Sequence, residues 1–255
     1  GGVAVTKRVP MTLTVTPDVT IQSVVDTAIT GDTIEIQYGT YSERVLIDQD
    51  SITVRGIPND KGEYPVLDGK MQFSDGVSAS GNNFTIEKLA VKNYKGNGII
   101  VDGVTGVIVR DIYVENTSLY GIYPVHSTDV LVERVEATKI RDAGVYAGQC
   151  RKVILRDNKV YGNVIGIEIE NSMNADVFDN VATHNAGGIL VFDLPNLPQM
   201  GGQTFADVKF EVICQDTEVA VVVDTIRAHV GTTHDGTACA YVLPLDAVIG
   251  LHATE

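Results

Sequence analysis

The length, composition and charge of the chain exclude several classes of protein. Its 255 residues are 44% hydrophobic and include 25 glycines and no tryptophan, which suits one large or two modest domains of short strands and turns. The formal net charge of −14 argues against a nucleic-acid partner, because binding a polyanion requires clustered Lys and Arg. No stretch approaches the roughly 18 apolar residues of a membrane span, so no membrane partner is expected.

The chain is predicted to begin with an extended segment, residues 1–16, followed by a short amphipathic helix. Asp18 is placed to cap this helix, and Gly31 ends it. The apolar stripe of the helix consists of Ile21, Val24, Val25, Ala28 and Ile29. A helix in this position is predicted to cover the open end of a stacked structure such as the one that follows.

Residues 43–75 are predicted to form early, irregular coils of that stacked structure. Short alternating stretches at 44–47, 52–55 and 66–69 indicate strands, whereas residues 58–65 have the Pro, Gly and Asn content of a surface loop.

Residues 76–192 repeat with a period of 22 or 23 residues, which indicates stacked structural repeats. Each copy starts with a glycine, at Gly76, Gly98, Gly121, Gly144, Gly166 and Gly188. The first and third residues after each glycine are apolar and the second and fourth vary, as in a half-buried strand. Two more short apolar stretches follow in each copy and leave no room for a helix. The sequence therefore predicts a mainly β fold, a single-stranded right-handed parallel β-helix.

Stacking the coils places side chains at equal offsets from the glycines next to one another on the outer surface. The outward stripe contains Asp102, Tyr123, Tyr146, Glu168 and Glu170, and His126, Gln149, Asn171 and Asp193 follow in the adjoining turns. Because neighbouring coils lie about 4.8 Å apart, Tyr123, Tyr146 and Glu168 are predicted to form a ladder within reach of a sugar chain.

These residue types suit polysaccharide chemistry. Paired acids can hydrolyse a glycosidic bond, and a Tyr or His can abstract a proton beside a uronate carboxylate. The candidate catalytic residues are Tyr123, His126, Tyr146 and Glu168, and the candidate ligand-binding residues are Asp102, Tyr123, Tyr146, Glu168, Glu170 and Asp193. In the alternative interpretation, the same stack only stabilises a solenoid face, and Glu168 and Glu170 are simply solvated.

No metal site or cofactor is predicted, although calcium is an open alternative. Asp102, Glu168, Glu170 and Asp193 offer oxygen ligands, but the glycine-rich Asp repeat of calcium-binding β-helices is absent. Cys150, Cys214 and Cys239 show neither metal-binding spacing nor a disulfide framework, so structural roles are expected.

The period ends after Gly202, and the pattern of the remaining residues differs. A strand from residue 208, a helix starting near Asp216 and a strand from Thr237 predict a β-α-β tail. The predicted organisation is therefore an extended segment (1–16), a β-helix (17–203) and a β-α-β tail (204–255).

Segments 23–41 and 52–56 resemble the opening of pectate-lyase-like right-handed β-helix proteins. Segments 119–125, 144–149, 166–171 and 187–198 resemble a bacterial family of parallel β-helix repeat proteins, and the match covers residues 12–203 in all. This resemblance implies the β-helix fold and an exported or periplasmic protein. It does not decide the function, because the same fold occurs in lyases, glycoside hydrolases, uronan C5-epimerases and non-catalytic binders. In the Tyr-Gly-x-Asp motif of epimerases, Tyr120-Gly121 is present, but the Asp is replaced by Tyr123.

The tail, residues 207–255, resembles the C-terminal half of nitrogen-regulatory P-II type proteins. That resemblance implies a homo-oligomer, with a trimer favoured, and adenine-nucleotide binding between subunits. Two departures weaken the nucleotide expectation, because the expected Lys is Thr237 and the expected Arg is His252. The combination is expected to be a natural fusion or an engineered assembly unit, and Gly1-Gly2 without a starting Met fits the latter.

Three hypotheses follow. The first is a structural, non-enzymatic assembly protein: a β-helix rod with an oligomerising tail. The second is a polysaccharide-binding or polysaccharide-modifying protein, acting on a uronan as a lyase or epimerase or acting as a hydrolase. The third is a nucleotide sensor that acts through the tail. The first is favoured at this level because no complete catalytic set can be named.

Overall fold

The computed structural model describes residues 8–192 and 208–210. The chain divides into two compact units, residues 1–211 and 212–255, and the second unit lies outside the described residues. The predicted β-α-β tail, its likeness to P-II proteins, Asp193, Cys214 and Cys239 therefore lie outside them, except for a short strand at 208–210. Within the described residues, no helix is long and apolar enough to cross a membrane.

Short strands dominate the described chain, as predicted. The helix α1 spans Ile21–Val25. The strands are β1 (Thr12–Val15), β2 (Thr33–Ile36), β3 (Thr40–Tyr41), β4 (Val45–Ile47), β5 (Thr53–Gly56), β6 (Val66–Asp68), β7 (Val77–Ala79), β8 (Phe84–Tyr94), β9 (Ile99–Asp102), β10 (Thr105–Thr117), β11 (Ile122–Val125), β12 (Thr128–Glu133), β13 (Glu136–Thr138), β14 (Ala143–Gly148), β15 (Arg151–Arg156), β16 (Lys159–Tyr161), β17 (Ile165–Glu170), β18 (Met173–Phe178), β19 (Val181–Thr183), β20 (Gly187–Phe192) and β21 (Val208–Phe210).

The strands form two parallel sheets, and the chain passes from one to the other once in every coil. Sheet A follows the order β1-β2-β5-β8-β10-β12-β15-β18-β21, with side rows β3-β6-β8 and β10-β13-β16-β19. Sheet B follows the order β4-β7-β9-β11-β14-β17-β20. This topology confirms the predicted parallel β-helix. Strands β8 and β10 join the second and third predicted strands of their coils through left-handed residues, Lys88 and Asp111.

The inward residues form continuous apolar columns. Ile99, Ile122, Val145 and Ile167 lie in register on successive strands of sheet B, and all four are completely buried. Ile189 continues this column, but 37% of its surface is exposed because β20 is the last strand of sheet B among the described residues. Cys150 is a buried free cysteine of the interior, and its Sγ lies 3.3 Å from the Gly148 carbonyl oxygen. Burial raises the pKa of this thiol to about 12, which fits the structural role predicted for it.

The repeated glycines mark a column where successive coils approach closely. A Cβ atom at Gly121 would lie 2.4 Å from the carbonyl oxygen of Gly144, and one at Gly144 would lie 2.9 Å from that of Gly166. Cβ atoms are not found closer than about 3 Å to such an atom. The glycines that start the first five repeats, from Gly76 to Gly166, are therefore required by coil stacking rather than by backbone dihedral angles.

The N-terminal helix is shorter than predicted, and its cap is a different residue. Thr20 is the N-cap and accepts a hydrogen bond from the Ser23 backbone N–H at 3.2 Å. Asp18, the predicted cap, lies too early in the chain and instead accepts from the Thr16 hydroxyl at 2.5 Å. The buried faces of Ile21 and Val25 join the apolar interior. That the helix covers the end of the solenoid stays a prediction.

Asp32 is a buried carboxylate at the N-terminal end, and we expect it to govern acid stability. It accepts hydrogen bonds from Arg8 Nη2 at 2.6 Å and from the Met11 and Ile29 N–H groups at 2.8 Å each. The Arg8 bond is the main cause that holds the pKa of Asp32 at about 2, below its ordinary 3.8. As pH falls, the Asp32 carboxylate is therefore protonated in the unfolded chain before it is protonated in the folded one. The stabilisation that ionised Asp32 contributes is complete above about pH 4 and is lost as pH falls towards 2.

Replacing Asp32 by asparagine should lower the free energy of unfolding at pH 7 by about 2 kcal/mol, because donors to a charged acceptor lose their partner. Denaturant unfolding between pH 2 and pH 7 measures this. Exposed Asp48 provides the control, since Asp48→Asn should behave as the wild type. If Asp32→Asn kept the wild-type acid dependence, another carboxylate would be responsible.

Candidate functional site

The predicted stripe lies on the outer face of sheet B. One outer row contains Ile100, Tyr123, Tyr146, Glu168 and Leu190, on β9, β11, β14, β17 and β20. The next outer row contains Asp102, Val125, Gly148 and Glu170. The parallel register brings residues far apart in the sequence onto neighbouring coils, as the period predicted.

Three tyrosine rings pack together on this face. Tyr120 stacks on Tyr146 with ring centroids 4.4 Å apart and an interplanar angle of 10°. Tyr123 lies tilted against both rings, with centroids 4.7 Å from Tyr120 and 5.0 Å from Tyr146. Tyr120 was not predicted as part of the stripe, because it precedes Gly121 whereas the stripe was counted forward from each glycine.

Tyr146, on β14, reaches over Gly148 to the carboxylate of Glu170 on the neighbouring strand β17. The phenol donates a short hydrogen bond to Glu170 Oε2, and Gln149 Nε2 donates to Oε1 at 3.3 Å. The space over Gly148 makes this possible, since a Cβ atom there would lie 2.7 Å from the Tyr146 ring. Burial and this bond to Glu170 raise the pKa of Tyr146 well above its ordinary value, so the phenol stays a donor.

Glu168 is buried beside the tyrosines, and one of its oxygens has no partner. Only 6% of the residue is exposed, and no hydrogen bond reaches Oε2 within the described part of the chain. Burial, followed by the charges of Asp142 and Glu170, raises the pKa of Glu168 to about 7. Glu170 is only 8% exposed. The alternative interpretation in which Glu168 and Glu170 are solvated is therefore wrong, because the rings and neighbouring coils shield both.

Asp142 adds a third carboxyl group that the sequence did not reveal. Its charge acts on both Glu168 and Tyr120, and burial raises its own pKa. Burial, then the charges of Asp142 and Glu168, raises the pKa of Tyr120 to about 12. Asp142 lies two residues before Gly144, in the turn that leads into β14, and no strand periodicity applies there.

His126 and Asp102 form a separate pair at the edge of the site. His126 Nδ1 lies 2.9 Å from Asp102 Oδ1, and both side chains are exposed. Burial and the charge of Asp102 raise the pKa of Tyr123, which places this pair next to the tyrosine group. The imidazole Nε2 is left to face solvent or a ligand.

The structure does not bring together a cation site. Among the described residues, no group of three or more His, Cys, Asp or Glu side chains is arranged to hold a metal ion. The calcium alternative gains no support from Asp102, Glu168 and Glu170, and Asp193 lies outside the described residues.

Three arginines on or beside the strands of sheet A are paired with carboxylates. Arg110 bonds Glu87 at 2.6 Å, Arg156 bonds Glu133 at 2.6 Å and Arg134 bonds Asp111 at 2.7 Å. These contacts stabilise the outer face of sheet A and leave the outer face of sheet B acidic and aromatic.

Together these features define a right-handed parallel β-helix with an aromatic and acidic site on one outer face. The family described as right handed beta helix region matches residues 70–198, which is half of the chain. The chain belongs to this family. A comparison with curated proteins finds no match.

Several solved structures are similar in outline. An alginate lyase from Paenibacillus sp. str. FPU-7 shows 15% identity and a TM-score of 0.49, and the match covers 72% of this chain and 75% of that one. The mannuronan C-5 epimerase AlgE4 A-module of Azotobacter vinelandii shows 15% identity and a TM-score of 0.44, covering 74% and 58%. The pectin methylesterase PemA of Erwinia chrysanthemi shows 11% identity and a TM-score of 0.35, covering 83% and 92%. Values this low carry no argument about what this chain does.

Proposed function

We propose that the chain binds a polysaccharide on the outer face of sheet B and that Glu168 acts on it as a general acid. The observation that supports this most is the group of three packed tyrosine rings beside a buried carboxyl group with a free oxygen. Aromatic faces and a few convergent polar groups are the features of a carbohydrate site.

The dimensions of the site suit a sugar chain that runs along the solenoid axis. Coils follow one another at about 4.8 Å, roughly the length of one sugar unit. The exposed pair of Asp102 and His126 lies on one side of Tyr123, and Glu168 lies on the other, beyond Tyr146. A chain of several units would therefore contact His126, the tyrosines and Glu168 in turn.

The proposed chemistry rests on the different environments of the carboxyl groups. Glu168 retains its proton up to about pH 7 and can donate it to a glycosidic oxygen. Glu170 accepts hydrogen bonds from Tyr146 and Gln149, so both of its carboxylate oxygens already have partners within the protein. Asp142 is the second carboxyl group that such a reaction needs, either as a base or to activate water. Protonation of the leaving oxygen is common to hydrolysis and elimination.

The other hypotheses stay predictions. The oligomerising rod and the nucleotide sensor both depend on residues 204–255, which lie outside the described residues except for β21. The epimerase-like variant lacks the Asp of its motif, since Tyr123 occupies that position. No observation on the described residues favours these hypotheses over the carbohydrate site.

Tyr123 tests the binding half of the proposal. Replacing Tyr123 by alanine should weaken polysaccharide binding by about tenfold, because one aromatic face is lost. Calorimetry or a glycan array with purified protein measures this. Tyr161→Ala is the matched control, since Tyr161 lies on sheet A and bonds Glu136 at 2.6 Å. Equal weakening by both substitutions, or binding to no glycan by the wild type, would contradict the proposal.

A further inference from the structure

We infer that the site accepts sugar units without a free carboxylate, that is, neutral sugars or esterified uronates, and rejects free uronates. This inference rests on the proposed function and narrows its substrate class. It is drawn from the charges around Glu168 and from the unpartnered oxygen of that buried side chain.

The groups that face Glu168 are acidic or neutral. Asp142 and Glu170 contribute negative charge, Tyr146 lies beside it in register, and the charge of Glu168 acts on Tyr120. Leu190 lies beside it on the next strand, β20. Within the described part of the chain, the charges that act on the pKa of Glu168 are both negative.

The strand positions of the site contain neither Lys nor Arg, over residues 98–102, 121–126, 144–149 and 166–171. His126 lies in the second of these ranges and is paired with Asp102 at 2.9 Å. Arg141 is the basic residue that directly precedes Asp142 in the chain. It is exposed, and burial raises the pKa of Asp142 with no offset from that neighbour. A uronate carboxylate entering here would meet like charges in a partly desolvated place.

This repulsion costs more binding free energy than the loss of one hydrogen bond. Two like charges at about 6 Å, at the effective dielectric constant of about 20 that suits protein surfaces, repel enough to weaken binding by tenfold or more. A neutral sugar instead satisfies Glu168 Oε2 through a hydroxyl group, because a hydroxyl can donate to the ionised carboxylate present at pH 8.

The experiment uses pairs of oligosaccharides that differ only in this charge. Oligogalacturonate is paired with its methyl ester, and oligomannuronate with the oligomannan of the same linkage. Binding of the intact chain is measured by calorimetry at pH 8, in about 0.15 M and about 0.5 M NaCl, so that the general effect of the −14 net charge is screened at the higher salt. Arg141→Ala is measured alongside.

We expect the uncharged member of at least one pair to bind about tenfold more tightly, at both salt concentrations and equally in Arg141→Ala. Equal or tighter binding of the free acid in every pair that binds would overturn the inference and leave the proposed function intact. A preference that disappears at high salt would also overturn it, since net charge would then be the cause. If no member of any pair binds, the proposed function fails as well.

Discussion

Replacing Glu168 by glutamine should lower polysaccharide turnover by about 10²–10⁴-fold, because glutamine keeps the shape and cannot donate an acid proton. The wild-type rate should fall as pH rises above about 7, where Glu168 loses its proton. Turnover is measured by release of reducing ends or by ultraviolet absorbance of unsaturated products. The two assays also distinguish hydrolysis from elimination.

The same substitution should stabilise the fold at alkaline pH, which provides an internal control. The folded-state pKa of about 7 lies above the ordinary 4.5, so the folded chain binds more protons between these values. Stability therefore falls as pH rises through this window, and the burial of an ionised Glu168 costs free energy above it. Glu168→Gln removes this cost, so its Tm should exceed that of the wild type at pH 8.

Three outcomes bear on the acid role. A Glu168→Gln variant that turns over substrate at the wild-type rate would show that another group protonates the leaving oxygen. A lower Tm at pH 8 would show that the carboxylate is stabilised rather than strained. If the wild type bound a glycan but did not turn it over, the binding part of the proposal would hold and the catalytic part would fail.

Replacing Gly121 by alanine should destabilise the β-helix by about 3 kcal/mol, at the upper end of the cost of overpacking. For a chain of this size, that lowers Tm by about 6–12 °C. The added Cβ would lie 2.4 Å from the carbonyl oxygen of Gly144 and 3.1 Å from Val114 Cγ1. Neither a rotamer change nor a side-chain shift can relieve the first contact, because the atom belongs to the backbone of the next coil.

Gly188 offers a matched control at the end of the same column. A Cβ atom built there meets no heavy atom of the described residues within 4 Å, so Gly188→Ala should change Tm by no more than a degree or two. Thermal unfolding followed by circular dichroism compares the two variants directly. If both variants had the same Tm, the glycine column would not be required for stacking.

Much of the fold follows from the sequence because a solenoid is local and periodic. A period of 22 or 23 residues and strict alternation after each glycine decide which side chains point inward, and Ile99, Ile122, Val145 and Ile167 lie where the alternation places them. Counting residues from each repeated glycine likewise predicted that one outer row contains Tyr123, Tyr146 and Glu168. Asp18 was wrongly predicted as the helix cap because Thr20 and Asp18 are both suitable residue types. Only the register of the first helical turn distinguishes them.

The site depends on features that the period of the sequence does not predict. Tyr120 and Asp142 reach it from turns, where no two-residue alternation fixes the direction of a side chain. The burial of Glu168, and with it the raised pKa, depends on how rings from neighbouring coils lie across the sheet. The space over Gly148 that lets Tyr146 reach Glu170 is likewise a matter of packing.

The sequence by itself therefore determined the repeat, the parallel β-helix and the outward stripe. In a stack of similar coils, residues one period apart in the sequence become neighbours in space. Only the tertiary structure decided that residues of this stripe join Tyr120 and Asp142 in a cluster of three tyrosines and three carboxyl groups, of which Tyr146, Glu168 and Glu170 are buried. The physical reason is that desolvation and ring packing depend on distances between coils and across turns, and these distances are set by the whole stack rather than by any one repeat.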